Sequence, residues 1–200
     1  MKLVIGLIGG MGSGKSRVAE AFSLHDAKVI SGDRLGHEAL LQPAIKAELV
    51  RRWGTGILAG DGEIDRRRVA QIVFADPGEK RALEAVSHPW IERRIQEEIA
   101  AVQSDPKAAL AVLDAAIMLE AGWDRFCDRI VYVEAPRSAR LARLAQQRGW
   151  TQAEVEAREK AQWAPAERIR RANEIIDNSG SMERTAEQVA RLLEKWKIGA

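Results

Sequence analysis

Residues Gly9-Gly10-Met11-Gly12-Ser13-Gly14-Lys15-Ser16 spell G-x-x-x-x-G-K-[ST], the pattern of a loop that wraps a phosphate chain. The pattern constrains the fold because the loop works in one setting, between a strand and the start of a helix. The apolar run Leu3-Val4-Ile5-Gly6-Leu7-Ile8 predicts a buried parallel strand before it. Val18, Ala21 and Phe22 recur at helical spacing after it. Glycines let successive N–H groups curl inward onto an anion. The helix that starts there adds the positive end of its dipole. Lys15 is then expected to reach the β- and γ-phosphates of a nucleoside triphosphate, and Ser16 to hold Mg²⁺.

Composition removes several alternatives. The chain has 200 residues, 46% apolar and 30% charged, which predicts a globular protein with a sizeable core. A net charge of +2 predicts neither a nucleic-acid partner nor an acidic membrane surface. Lys2 and the apolar residues after it resemble a secretory leader only superficially, since Gly6 interrupts them and the phosphate loop follows at once. With a single cysteine, Cys127, no internal disulfide can form. Cytoplasmic location and a packing role for Cys127 are the expectations. A monomer is expected, with a small homo-oligomer as the alternative.

Strands are predicted at Leu3–Ile8, Ala27–Ser31, Leu110–Leu113, Arg129–Val133 and Glu174–Ile176. Helical patterns separate them. The chain therefore reads as an α/β protein: a P-loop core with a five-stranded parallel sheet and helices on both faces. Ligands of such sheets lie beyond the carboxyl ends of the strands. Asp33, Asp114 and Asp177 fall at those ends. About 75 residues without a strand follow the second strand, too many for one crossover, so they predict a helical insertion. Within it Asp65 precedes a short helix, Asp76-Pro77 breaks and restarts the chain, and His88-Pro89 opens a longer helix with Ile91, Ile95 and Ile99. A further helical stretch from Arg137 to Arg171 is rich in arginine. The expected division is a core of residues 1–38, 108–136 and 173–200, an acceptor-binding insertion of 39–107 and an arginine-rich lid of 137–172.

This is the plan of a small kinase. The insertion holds the acceptor, and the lid closes over ATP and excludes water, the competing acceptor. Lid arginines can neutralise charge on the transferring phosphoryl group, although most arginines on helices are solvated. Asp33 is the candidate base; a helix N-cap for the segment starting at Arg34 is compatible with that role. Asp114 is either an Mg²⁺ residue at the end of its strand or a plain turn residue. An N-K-x-D guanine motif is missing, which disfavours a GTPase.

The chain resembles the dephospho-CoA kinases along essentially its whole length. V-I-S-G-D (Val29–Asp33) resembles that family's V-I-D-A-D, and D-G-E-I-D-R-R-R-V-A-Q-I-V-F-A-D-P (Asp61–Pro77) its D-G-x-L-D-R motif through D-P. S-H-P-W-I (Ser87–Ile91) resembles its x-H-P-x-I, V-L-D-A-A-I-M-L-E-A-G (Val112–Gly122) its third strand and P-L-L-F-E, and I-I-D-N-S-G (Ile175–Gly180) its V-I-D-N-S-G. The resemblance implies transfer of the γ-phosphoryl of ATP to the ribose 3′-hydroxyl of dephospho-CoA, giving coenzyme A. It implies that Gly10, Met11, Gly12, Ser13, Gly14, Lys15, Ser16 and Arg17 bind the ATP phosphates and Mg²⁺, with Asn178 and Gly180 near the adenine. It makes Asp33 the base and Arg143 the lid arginine, with Arg140 and Arg148 as competitors, and assigns Arg66 and His88 to the acceptor side. Three positions depart from the family pattern: Ser31 replaces the first aspartate of D-A-D, Arg17 a threonine, and Ala116 a proline. A kinase for another hydroxyl acceptor and a catalytically silent nucleotide-binding regulator are the competing readings.

Overall fold

A computed structural model describes residues 1–159 and 162–198. The phosphate loop sits between β1 (Val4–Gly9) and α1 (Lys15–Ser23), as its motif requires. Next come β2 (Ala27–Ser31), α2 (Gly32–Leu40), α3 (Pro43–Trp53), α4 (Arg66–Ala75) and α5 (Pro77–Ser104). β3 (Leu110–Asp114) and β4 (Arg129–Glu134) follow, then α6 (Arg137–Arg148), α7 (Gln152–Glu159) and α8 (Pro165–Arg171). The described chain closes with β5 (Glu174–Asp177) and α9 (Met182–Lys195). No helix of the described residues is long and apolar enough to cross a membrane.

All five strands form one parallel sheet in the order β2-β3-β1-β4-β5. Each forms where the sequence predicts it. β3, β4 and β5 run one residue further than expected, so that Asp114, Glu134 and Asp177 are paired strand ends rather than residues just past them. Asp114 pairs with Ser31 of β2 and with Leu7 of β1. The carboxyl edge of the sheet thus carries the loop after Gly9 in the middle, Asp114 beside it and Asp177 at one margin.

Strand alternation divides the side chains. Ile5 and Leu7 of β1, Leu110 and Val112 of β3, and Val131 and Val133 of β4 join Val18 and Phe22 of α1 and Val189 and Leu193 of α9 in one buried cluster. Gly6 faces the other way. A Cβ there would lie 2.7 Å from Met118 Sδ, 2.8 Å from Cys127 Sγ and 2.9 Å from Ile130 Cδ1, so close packing demands glycine at that point. Burial pushes the Cys127 thiol up to about 12, with Asp124 and Asp128 adding to the shift.

By contact density the chain falls into two compact units: Met1–Ser31 with the chain from Glu98 onward, and Gly32–Glu97. The second unit is helical, with Leu35, Ala39, Ile45, Leu49, Val69 and Ile95 buried. Glu79 ties α3 to the start of α5: its carboxylate accepts from Arg52 Nε (2.6 Å), Arg52 Nη2 (2.9 Å) and Trp53 Nε1 (2.6 Å).

The helix boundaries at Asp65 and Asp76-Pro77 agree with the sequence. Asp65 caps α4, accepting from Arg67 N (2.9 Å) and Arg68 N (3.4 Å). Asp65→Ala is therefore expected to lower the stability of the full chain by about 1 kcal/mol, read from its urea midpoint. His88-Pro89 is a correction. It does not open a helix, because α5 runs unbroken for 28 residues with Pro89 inside it. An interior proline costs about 3 kcal/mol through its lost hydrogen bond and ring clash. Burial of Ile91 (5% exposed) and Ile95 (0%) just beyond it offsets that cost, so the helix continues. The hydroxyl of Ser87 donates to the Leu83 carbonyl one turn earlier (2.8 Å).

Candidate active site

The phosphate loop turns through two left-handed glycines, Gly12 (φ 73°) and Gly14 (φ 88°). Gly14 is the N-cap of α1, so the helix begins at Lys15 with its free N–H groups facing the loop. The Ser13 N–H closes the turn onto the Gly10 carbonyl (3.1 Å). Ser13 is buried (1% exposed), and its Oγ has no hydrogen-bond partner among the described residues. A buried, unsatisfied hydroxyl inside a ring of amides fits a loop built to receive an anion.

Helix α6 lies directly against this loop: a Cβ on Gly12 would come within 2.6 Å of the Arg140 carbonyl oxygen. Arg140 Nη1 donates to the Met11 carbonyl (3.1 Å) and pairs with Glu159 of α7 (2.6 Å). Arg143 Nη1 donates to the carbonyls of Gly12 (3.2 Å) and Ser13 (3.1 Å), and its Nη2 to that of Asn178 (2.8 Å). Arg148, the third arginine considered for the lid role, stacks over Trp150 at 5.0 Å; Arg158 also stacks on that ring, at 4.1 Å. Of the three, Arg140 and Arg143 are brought to the loop.

Asn178 follows β5 and is fully buried. Its Nδ2 donates to the Ser13 carbonyl (2.7 Å), and its Oδ1 accepts from Thr185 Oγ1 of α9 (3.1 Å). Gly180 lies in the same β5–α9 turn. Arg17 points to α9, with its Nε 3.3 Å from Met182 Sδ, while its N–H is used within the helix start, on the Gly14 carbonyl (3.0 Å).

Ser16 Oγ donates to Asp114 Oδ2 (2.9 Å), which brings the loop hydroxyl and the end of β3 together. One hydroxyl and one carboxylate are an oxygen set suited to a hard cation that also takes phosphate oxygens and water. No cluster of three or more His, Cys, Asp or Glu with metal-ligand geometry occurs among the described residues, so a cation here would depend on the phosphates as well.

The remaining expected residues belong to the Gly32–Glu97 unit. Asp33 lies in the first turn of α2, which starts at Gly32; it is inside the helix rather than its cap. Arg66 is the first residue of α4. His88 lies on α5 in a shallow groove with Glu84, Pro89, Glu92 and Arg93. Burial lowers the pKa of His88 from its ordinary value, and Lys80 adds to this while Glu84 and Glu92 oppose it. The sequence reading missed His37, one helical turn after Asp33. Its pKa is also lowered, by burial first and by the Arg66 charge second, with Asp33 pulling the other way. Asp33, His37 and Arg66 therefore share one electrostatic neighbourhood. The i, i+4 spacing of Asp33 and His37 was the available signal.

Comparison with known proteins places the chain among relatives that match nearly its whole length. A family model described as Dephospho-CoA kinase matches residues 3–184. A dephospho-CoA kinase of Geobacter metallireducens is 42% identical over 198 residues, covering 98% of this chain and 96% of that protein. The crystal structure of a Thermus thermophilus protein is similar at a TM-score of 0.81 and 33% identity, with 97% of each chain covered. Dephospho-CoA kinase from Campylobacter jejuni shares the fold at a TM-score of 0.72 and 23% identity, with 98% of each chain covered. The chain belongs to the dephospho-CoA kinase family, whose members catalyse the final ATP-dependent step of coenzyme A biosynthesis.

Proposed function

We propose that this kinase moves the γ-phosphoryl of ATP onto the ribose 3′-hydroxyl of dephospho-CoA, with a division of labour that follows the two units. The observation that carries this reading is the contact of Ser16 with Asp114 at the foot of a glycine-rich loop that leads into the N-terminus of α1. The loop from Gly10 to Ser16 cradles the ATP phosphates, and Lys15 neutralises charge that grows on the γ-phosphoryl oxygens. Ser16 and Asp114 would hold Mg²⁺, which would supply further charge neutralisation. Asp33, exposed in the first turn of α2, accepts the proton of the 3′-hydroxyl as that oxygen attacks.

Arg66 and His88 bind the acceptor from the insertion, residues 39–107. A guanidinium suits a phosphate of the acceptor, and a largely neutral imidazole suits a hydroxyl or amide. The α6–α8 segment acts as the lid, and Arg140 and Arg143 act from it on the loop. On this reading the protein acts on small molecules in the cytoplasm, as a monomer or a small homo-oligomer.

Coupled ADP release, measured with dephospho-CoA and with adenosine, shikimate and hexoses as alternative acceptors, tests the acceptor. Turnover with dephospho-CoA well above all others is expected. Preference for another acceptor would overturn the assignment, and ATP binding without phosphorylation of any acceptor would favour a regulator.

A further inference from the structure

We infer that Asn178 is a positioning residue of the phosphate loop, acting through Ser13, and not a reader of the adenine. The inference rests on the reading of the loop as the triphosphate site. An asparagine amide recognises a base by offering both its donor and its acceptor edge. Here both edges are spent inside the protein: Nδ2 on the Ser13 carbonyl at 2.7 Å and Oδ1 on the Thr185 hydroxyl at 3.1 Å. The side chain is 0% exposed, so no edge is presented to a ligand.

What those bonds fix is the Ser13–Gly14 peptide. In a planar trans peptide the carbonyl and the following N–H point to opposite sides. Anchoring the Ser13 carbonyl on Asn178 therefore aims the Gly14 N–H the other way, into the loop. Arg143 reinforces this, since it holds the Ser13 carbonyl together with those of Gly12 and of Asn178 itself. Arg140 does the same two peptides earlier by taking the Met11 carbonyl, which aims the Gly12 N–H. The amides that would meet phosphate are thus oriented from behind, by side chains that bind the outward carbonyls.

Gly14 carries the trace of this arrangement. Its φ of 88° already favours glycine, and a Cβ there would also lie 2.1 Å from Asn178 Nδ2 and 3.3 Å from Arg143 Nη1. The amide of Asn178 occupies the space that any other residue at position 14 would need.

The test separates base from phosphate. Full-length Asn178→Asp is titrated calorimetrically with ATP, GTP and inorganic tripolyphosphate, which has no base. A carboxylate would face the Ser13 carbonyl in place of a donor. Affinity for ATP and for tripolyphosphate should fall by the same factor, about tenfold, with the ATP-to-GTP ratio unchanged. In turnover the KM for ATP rises and that for the acceptor stays. Unchanged tripolyphosphate affinity, with or without a lost preference for ATP over GTP, overturns the inference. Thr185→Val removes the hydroxyl that orients the amide and should act in the same direction, while Thr185→Ser restores wild-type affinity. If Asn178→Asp does not fold, this pair decides: tripolyphosphate affinity equal in Thr185→Val and wild type overturns the inference. Lys15→Ala in the same titrations reports separately whether the loop binds the triphosphate at all.

Discussion

Lys15→Ala is expected to lower kcat/KM for ATP by about 10³-fold, with both affinity and phosphoryl transfer affected. The lysine is the first residue of α1 and follows the left-handed Gly14, so its ammonium adds to the positive end of the helix. Its worth is greatest in the transition state, where charge moves onto the oxygens around the transferring phosphoryl group. The effect should therefore appear in kcat as well as in KM. Lys15 is half-buried and lies outside the buried apolar cluster, so the loss should be far larger in turnover than in stability, which a urea unfolding curve checks. Steady-state ADP release over a range of ATP concentrations checks this, and undiminished turnover would detach the loop from the chemistry.

Asp33→Asn is expected to lower kcat by about 10²-fold or more while leaving ATP affinity unchanged. Asparagine keeps the shape of the side chain and loses the ability to accept a proton. The same substitution removes a negative charge from the first turn of α2, which costs stability of about 0.3–1 kcal/mol through the helix dipole. That cost is small beside the kinetic effect, so the two separate cleanly. Single-turnover measurement with saturating acceptor isolates the chemical step. A variant with near-normal turnover would take Asp33 out of the base role. His37 would then be the next residue to test, because it lies one helical turn away and its pKa is lowered, by burial first and by the Arg66 charge second.

The sequence carried the strands well. The inner strands β1, β3 and β4 are short apolar runs whose burial on both faces leaves little freedom to place them elsewhere. The edge strands β2 and β5 are partly exposed and were marked by the polar residues that end them. The helix stop at Asp76-Pro77 was legible because proline at a first helical position needs no N–H partner. Pro89 misled for a related reason. A local rule reads proline as a boundary, whereas the burial of Ile91 and Ile95 that overrides it is a tertiary effect. The donor half of the site was legible in one contiguous motif. The bonds from Arg140, Arg143 and Asn178 to loop carbonyls were not, since they join positions 129 to 165 residues apart and a carbonyl is the same group on every residue. Arginine content showed that cations stood between Arg137 and Arg171, and geometry was needed to show which of them turn to the loop.

The thiol packed against Gly6 has a practical consequence. With the pKa of Cys127 near 12, a fraction of only about 10⁻⁴ is thiolate at pH 8. Maleimide and haloacetamide reagents attack the thiolate, so the native cysteine is nearly silent towards them. A cysteine introduced on the exposed face of α7, at Gln152 for example, would then be the sole fast-reacting site. A fluorophore or spin label could be attached there without first removing the natural residue. The close fit around the natural thiol thereby leaves the enzyme open to single-site optical measurement at α7 during turnover.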